Sequence, residues 1–339
     1  MRVLVAGCGA VGGYLAAHLV RLGEDVTALD PWAENRAAIA AQGLRIEEPS
    51  GSFSARLPIF ATARDLRGQG FDLAILACKL PEAMTLLEAL EANADYGGPY
   101  LATLNGLVDA RIAERVGTDR VMGCIVFGFF GHLAGPGLVQ RHRARNPGGE
   151  PAVFRTGEVK GPSTERVHRL AALLGRIDAV EVVEDLPRAR WTKLVFNAMT
   201  SPLAAVSGGH TRPLFLETAL RGELTKLALE GVRIAAAAGV SLDAICGISG
   251  ESWLRAAAGD PAALMEVQSG LIRYGEGLSP GATSGMAQDL ARGRPTELDF
   301  LNGALVTEAS RRGLDAPAHR AVMARLHALE AAQRAATPG

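Results

Sequence analysis

The sequence predicts an α/β protein: a first domain with a mostly parallel sheet and helices on both faces, followed by an all-α C-terminal domain. Three observations support this fold class. A glycine-rich turn joins an apolar strand to a helix near residue 10, short apolar runs then alternate with helical patterns as far as about Val183, and only helical patterns follow Pro187. The predicted domains are residues 1–186 and 187–339.

The first elements form a βαβ unit. The chain reads as a buried strand over residues 2–6, a tight turn with the sequence GCGAVG over residues 7–12, a helix over residues 13–22 and a strand over residues 24–29. A GxGxxG turn alone is a weak signal, but this one follows a strand, opens a helix and is followed by an acidic residue at the second strand's tip. This context indicates a Rossmann domain that binds a dinucleotide, with an ordinary glycine-rich βα turn as the alternative.

The residues of this turn are the predicted cofactor-binding residues. Gly7 permits the sharp turn, Gly9 lets a pyrophosphate approach the backbone, and Gly12 allows the helix to pack closely on the strand. The amide groups at the helix start, where Ala10 and Val11 stand, face the phosphates, and the helix dipole favours negative charge there.

Asp30 bears on the choice of cofactor. A carboxylate at the tip of the second strand can accept both ribose hydroxyls of NAD and repels the 2′-phosphate of NADP, so NAD is favoured over NADP. Two alternatives stay open: Arg36 and Arg64 could reach a phosphate from nearby loops, or Asp30 could cap the turn that begins at Pro31.

The remaining elements continue the two patterns. In the first domain we expect strands over residues 72–77, 100–104, 120–130, 138–142, 152–155 and 179–183, with helices over residues 81–92 and 163–174. The later strands lack intervening helices, which favours antiparallel pairing for some of them. In the second domain we expect helices over residues 188–199, 214–238, 261–274, 297–312 and 317–335. We expect the substrate in the cleft between the domains.

Composition excludes several classes of partner. The 35 basic and 36 acidic residues leave no excess charge to attract nucleic acid or an anionic membrane. No apolar run is long enough for a membrane span, and the short apolar N-terminus reads as a strand rather than a signal peptide. The four cysteines are widely spaced and the seven histidines show no paired ligand spacing, so we expect reduced thiols, no metal and a cytoplasmic location.

Hydride transfer to a carbonyl needs an acid that protonates the developing alkoxide. Lys193 is the strongest candidate, because it shares one helix face with Asn197 and has the apolar neighbours Trp191 and Leu194, which favour partial burial and a lowered pKa. Taken alone, a helical lysine is more often a solvated surface residue. Glu297, at a helix start, could orient such a lysine or could only complement the helix dipole.

Two further candidates end predicted strands. Lys79 follows the strand at residues 72–77, and Asn105 follows the next one along the chain. The carboxyl ends of parallel strands form the edge at which ligands of such sheets bind. Asn105 precedes a glycine, and Asn-Gly is also a common turn pair without function.

Taken together, these motifs resemble those of the ketopantoate reductase (2-dehydropantoate 2-reductase) family over nearly the whole chain. The matching segments are residues 7–12, 78–79, 104–106, 135–137, 191–197, 286–289 and 295–303. The resemblance implies nicotinamide-dependent reduction of a 2-oxo acid to a 2-hydroxy acid. It implies that Lys193 is the general acid, that Glu297 supports it, that Asn105 and Asn197 bind substrate or cofactor, and that Lys79 lines the cofactor site.

Three departures from the family pattern limit what the resemblance implies. Ser201 stands where a second Asn usually precedes the proline, and Gly285 stands where a substrate-binding Ser is usual, with Ser284 one position earlier. Asp30 departs from the family's commoner preference for NADPH. We therefore expect Ser201 and Ser284 among the substrate-binding residues, and a different, larger 2-oxo acid or an imine reduced with NAD as the alternative to ketopantoate. A non-catalytic NAD-binding sensor is the alternative from another class, and a homodimer is possible for either.

Overall fold

The computed structural model describes residues 1–93 and 96–336. The chain forms two compact units, residues 1–186 and a second unit that begins at Pro187. In the first unit the strands are β1 (Arg2–Ala6), β2 (Asp25–Leu29), β3 (Leu44–Glu48), β4 (Gly51–Ala55), β5 (Ile59–Phe60), β6 (Leu73–Leu76), β7 (Tyr100–Ala102), β8 (Val121–Val126), β9 (Gly131–Gly135), β10 (Leu138–Arg141), β11 (Phe154–Glu158) and β12 (Val180–Val182). Its helices are α1 (Ala10–Arg21), α2 (Ala33–Gln42), α3 (Leu80–Asn93), α4 (Val108–Val116) and α5 (Glu165–Gly175).

Eight strands form the main sheet of the first unit, in the order β12-β11-β8-β7-β6-β1-β2-β5. The six strands from β8 to β5 are parallel to their neighbours, whereas β11 runs antiparallel to β8. The carboxyl ends of β1, β2, β6, β7 and β8 therefore lie at one edge. Because β1 and β6 are neighbours while β1 connects through α1 to β2 on its other side, the strand order reverses at β1, as it does at the ligand crevice of open α/β sheets.

A second sheet of four strands, in the order β4-β3-β10-β9, was not predicted from the sequence. Its strand β10 runs parallel to β3 and antiparallel to β9. The predicted strand at residues 120–130 is too long, because β8 ends at Val126 and the chain then forms a loop before β9. Helices α2 and α4 were also missed.

In the second unit, the described residues form helices and no named strand. The helices are α6 (Leu186–Val206, whose first residue belongs to the first unit), α7 (Arg212–Leu216), α8 (Thr218–Ala237), α9 (Gly250–Ala257), α10 (Pro261–Glu276), α11 (Gly285–Ala291), α12 (Leu298–Arg311) and α13 (Pro317–Ala336). The single helix expected over residues 214–238 is two helices, because Glu217 adopts extended backbone between them, and α9 and α11 were missed. The predicted fold class, a mostly parallel N-terminal sheet followed by a helical region, is confirmed.

Two contacts between helices illustrate how the second unit packs. Gly231 of α8 leaves room for Val195 of α6, since an added Cβ would lie 3.2 Å from a methyl group of that valine. The buried carboxylate of Glu230 accepts the N–H groups of Ala318 and His319 at 3.0 and 2.9 Å, which satisfies donors at the start of α13. Within residues 1–93 and 96–336, no helix is long and apolar enough to cross a bilayer.

Candidate active site

The glycine-rich turn has the geometry that a pyrophosphate requires. Gly7 has a φ of 100° and donates its N–H to the carbonyl of Leu29 at 2.7 Å, which joins the turn to the end of β2. A Cβ at Gly12 would lie 1.9 Å from the carbonyl oxygen of Gly7, so only glycine fits. A Cβ at Gly9, in contrast, would meet no atom within 4 Å, so the turn is open on that side.

The start of α1 is equally suited to an anion. Gly9 is the N-cap residue and supplies no side-chain acceptor, and the first turn of the helix contains no acidic residue. The N–H groups of Ala10, Val11 and Gly12 therefore stand at a helix N-terminus whose dipole favours phosphate oxygens. The residues present fit a dinucleotide at this turn.

Asp30 has a structural role that the sequence suggested only as an alternative. Its side chain is 6% exposed, and its carboxylate accepts hydrogen bonds from the N–H of Cys8 at 3.0 Å, the N–H of Trp32 at 2.8 Å and the amide of Asn35 at 2.8 Å. It thus caps the turn after β2 and ties that turn to the glycine-rich segment. Both oxygens already accept protein donors, so a ribose hydroxyl would have to share an oxygen of Asp30 with them.

Removal of the Asp30 carboxylate should destabilise the first unit. In Asp30→Ala, the buried N–H of Cys8 and amide of Asn35 lose this acceptor, and we expect the free energy of unfolding to fall by about 2 to 4 kcal/mol. Urea denaturation measures this change. Asp25→Ala is the matched control, since Asp25 begins the strand that Asp30 follows and makes an exposed 3.3 Å ion pair with Arg2, worth less than about 1 kcal/mol. Equal losses in the two variants would contradict the assigned role.

Asn35 is a residue of this region that sequence reasoning missed. It is fully buried, its amide also donates to the carbonyl of Cys8 at 3.2 Å, and its oxygen accepts the N–H of Gly137 at 2.7 Å. This contact explains the Gly-Pro-Gly segment noted in the sequence: Gly137 has a φ of 65° and an added Cβ would lie 3.2 Å from Ala38. The partners of Asn35 are up to 102 residues away, and no local pattern marks them.

Lys79 and Asn105 stand at the same edge of the sheet as the glycine-rich turn. Lys79 follows β6, is half-buried, and its carbonyl accepts the N–H groups of Glu82 and Ala83 at the start of α3. Asn105 follows β7, is half-buried, and precedes Gly106, which has a φ of 76°. The structure thus brings the cofactor-side candidates of the first unit together at the carboxyl ends of neighbouring parallel strands.

In the second unit, α6 carries Lys193 and Asn197 one turn apart. Lys193 is half-buried, and its ammonium lies 5.6 Å from the centroid of the Phe196 ring, within cation–π range. Burial, together with the like charge of Arg190, lowers the pKa of Lys193 to about 8. Asn197 is buried, with 9% of its surface exposed. A lysine with this pKa can both hold and release a proton near neutral pH.

Neighbouring contacts fix this part of α6. The ring of Phe196 packs edge-on against Tyr274 of α10 at 6.2 Å. Thr192 donates to the carbonyl of Arg188 and accepts the N–H of Asp243, both at 2.9 Å. Asp243 also forms a 2.7 Å ion pair with Arg188, so the turn that precedes Lys193 is bound to the segment after α8.

Pro202, inside α6, accounts for a contact with α12. A proline has no N–H, so the carbonyl of Ala198 lacks its usual helical partner. The amide of the buried Asn302 donates to that carbonyl at 2.9 Å. Asn302 lies five residues after Glu297, the N-cap residue of α12, so this bond fastens the helix that begins beside Glu297 to the helix that carries Lys193. Glu297 is half-buried, and its support of Lys193 stays a prediction.

The two serines predicted to bind substrate are neighbours. The Ser284 hydroxyl donates to the carbonyl of Ser201 at 3.3 Å and accepts the N–H of Ala287 at 3.1 Å as the N-cap of α11. The bond to the Ser201 carbonyl is long, and the hydroxyl would turn its proton away from that carbonyl to donate to a ligand oxygen. Across the described ranges 1–93 and 96–336, no group of three or more His, Cys, Asp or Glu side chains is arranged to hold a metal.

The fold and the glycine-rich turn define a protein with a dinucleotide-binding domain of the Rossmann type. The family model described as "Ketopantoate reductase PanE/ApbA" matches residues 3–148, and "Ketopantoate reductase PanE/ApbA C terminal" matches residues 185–330. The chain belongs to this family, and its predicted class, an oxidoreductase acting on CH–OH groups, is confirmed.

Relatives and solved structures agree with this assignment. The 2-dehydropantoate 2-reductase of Mesorhizobium japonicum is 28% identical over 330 residues, 90% of each chain, and that of Halobacterium salinarum is 29% identical over 325 residues, 94% of this chain and 96% of the relative. The crystal structure of a PanE/ApbA family ketopantoate reductase from Ralstonia eutropha has a TM-score of 0.79 at 24% identity, covering 98% of this chain and 100% of that one. D-mandelate dehydrogenase with NADH and anilino(oxo)acetate has a TM-score of 0.81 at 20% identity, covering 98% and 99%. At these identities the two structures show the fold, while the family supports nicotinamide-dependent reduction of a small 2-oxo acid.

Proposed function

We propose that this protein reduces ketopantoate, or a 2-oxo acid with a different side chain, to the 2-hydroxy acid, with Lys193 as the proton donor. The observation that carries the proposal is the half-buried Lys193 ammonium, whose pKa of about 8 suits a general acid, on a helix that also presents Asn197. The names of the relatives favour ketopantoate and hence a step of pantothenate biosynthesis.

The proposed roles follow from the chemistry of each residue. The turn over residues 7–12 would hold the pyrophosphate, and Lys79 and Asn105 would line the nicotinamide side of the cofactor site. A bound reduced nicotinamide supplies the chemistry of hydride donation. Lys193 would give its proton to the carbonyl oxygen as the carbon is reduced, and then regain a proton from water. Glu297 would hold the lysine in its charged form, while Asn197, Ser201 and Ser284 would orient the 2-oxo acid.

For the cofactor we propose NAD over NADP on charge alone. The Asp30 carboxylate stands at the tip of β2, where a 2′-phosphate would approach, even though its oxygens are bound within the protein. Arg36 opposes this effect, because its guanidinium donates to the Asp30 carbonyl at 2.9 Å. The preference should therefore be modest, about tenfold in kcat/KM, the factor that about 1.4 kcal/mol of repulsion gives.

A substrate-by-cofactor panel tests the function. Oxidation of NADH and NADPH is followed at a fixed pH with ketopantoate, pyruvate, phenylglyoxylate and a cyclic imine. We expect turnover of at least one 2-oxo acid and faster turnover with NADH. A higher kcat/KM with NADPH would overturn the cofactor proposal, and nicotinamide binding without any turnover would support a sensor instead of an enzyme.

The pKa of Lys193 predicts a pH dependence. The ammonium is the proton-donating form, so kcat/KM for reduction should fall about tenfold per pH unit as the pH rises above about 8. The reverse oxidation needs the neutral amine and should rise over the same interval. Initial rates from about pH 6 to about pH 10 measure both limbs. If the reductive rate stays flat across that range, Lys193 is not the acid.

A further inference from the structure

The loop that follows β8, residues 127–130 with the sequence FGFF, lies at the ligand-binding edge of the main sheet. Strand β8 is parallel to its neighbour β7, with Tyr100 opposite Val121 and Ala102 opposite Gly123. The chain after β8 therefore leaves the sheet at the same edge as Asn105, which follows β7. This loop was predicted as part of a strand and was given no role.

Two of the three phenyl rings in this loop face solvent. Phe129 is 8% exposed and packs at 5.1 Å against Tyr14, whereas Phe127 is 39% exposed and Phe130 is 61% exposed. Single exposed apolar side chains are ordinary on protein surfaces. Two aromatic rings within four residues, at the edge where ligands of parallel sheets bind, are instead typical of a site that contacts an apolar group.

The backbone holds these rings in place. Phe130 has a φ of 48°, a left-handed conformation that is unusual for a bulky residue and recurs at functional sites. Its carbonyl accepts the N–H of His142 at 2.8 Å, and the N–H of Phe127 donates to the carbonyl of Val153 at 2.8 Å. Arg143 adds a 3.4 Å hydrogen bond to the carbonyl of Gly128, a glycine with a φ of 62°. The loop is thus bonded at both ends, with the rings outward.

We propose that Phe127 and Phe130 form an apolar wall that contacts the side chain of the 2-oxo acid, so that the protein prefers substrates with an aryl or similarly bulky apolar group. This inference rests on the proposed function and narrows its substrate class. The hydride and proton chemistry is unchanged: the wall acts on the side chain of the substrate, and the departures at Ser201 and Gly285 concern substrate contacts of the second unit.

The test compares phenylglyoxylate with pyruvate, two 2-oxo acids that differ in the side chain. In the wild type, kcat/KM for phenylglyoxylate should be the higher of the two. In Phe127→Ala and Phe130→Ala it should fall about 10- to 100-fold, while kcat/KM for pyruvate changes by less than about threefold. Phe130→Tyr keeps the ring and should retain the preference. Leu254→Ala, which removes a 48% exposed side chain from α9, is the matched control and should change neither value.

Several results would contradict the proposed apolar wall. These are a wild-type preference for pyruvate, an equal loss for both substrates in the alanine variants, or no loss for either. Tryptophan fluorescence quenching by phenylglyoxylate separates this inference from the proposed function. If the wild type reduces neither acid, the proposed function fails. In that case a Kd for phenylglyoxylate that rises in Phe130→Ala would still support the apolar wall. An unchanged or unmeasurable Kd would contradict the apolar wall as well.

Discussion

Lys193→Ala should lower kcat for 2-oxo acid reduction by about 100- to 10,000-fold, the usual contribution of a positioned general acid. The effect should fall on kcat more than on KM, because the proton is transferred only as the carbonyl is reduced. The variant should also lose the decline in rate above about pH 8. Steady-state kinetics across pH, together with a fluorescence measurement of NADH affinity, records these quantities.

Lys226→Ala provides the control for this variant. Lys226 is an exposed lysine on α8, so its removal changes the net charge by the same amount without touching the candidate site. We expect wild-type kinetics and a wild-type pH profile from it. If Lys193→Ala kept activity within a few-fold of the Lys226 variant, the assigned proton donor would be wrong.

Gly9→Ala and Gly12→Ala should separate cofactor binding from folding within a single turn. The methyl group at position 12 would overlap the carbonyl of Gly7 at 1.9 Å and approach Ala77 at 2.8 Å, so we expect a loss of more than about 4 kcal/mol in unfolding free energy. Gly9 has a φ of −71° and open space around its missing Cβ, so alanine there should leave Tm nearly unchanged. The same methyl group would occupy the side from which a pyrophosphate approaches, and Kd for NADH should rise at least about tenfold.

Thermal unfolding measures Tm, and NADH titration measures Kd, for both variants. A Gly9→Ala protein that binds NADH normally would show that the pyrophosphate does not lie against this glycine. A Gly12→Ala protein with a normal Tm would show that α1 can move away from the turn. The wild type measured at the same salt concentration provides the reference for both quantities.

The sequence predicted those parts of the fold that depend on local pattern. The apolar run at β1, the GCGAVG turn, β2, β6, α3 and β7 follow from residues within a few positions of one another, and these elements lie near where they were expected. Helix α1 begins at Ala10, whereas the prediction began it at residue 13. The low helix propensity of Gly12 and Gly13 hides this first turn in the sequence. The second sheet was missed because β3 and β4 are five-residue strands with charged and small polar side chains between the apolar ones.

Less of the candidate site was accessible to sequence reasoning. Residue type and position identified Lys193, Asn105 and the glycines, but they did not reveal what those residues touch. Asp30 was assigned to a ribose because its position at the strand tip is readable, whereas its actual donors depend on the tertiary fold. The contact between Asn302 and Ala198 joins positions 104 residues apart, and nothing near either residue in the sequence indicates the other.

The proline in α6 makes two distant positions dependent on each other. Since Asn302 supplies the donor that Pro202 lacks, the substitution Pro202→Ala would restore an ordinary helical bond to the Ala198 carbonyl and leave that amide competing for an acceptor already served. The same amide also meets a ring nitrogen of the buried His319 at 2.9 Å, so homologues that keep this proline should keep the asparagine, and its replacement should be found mainly where the proline is lost. Substitutions at positions 202 and 302 should therefore be correlated among homologues, because one hydrogen bond links them.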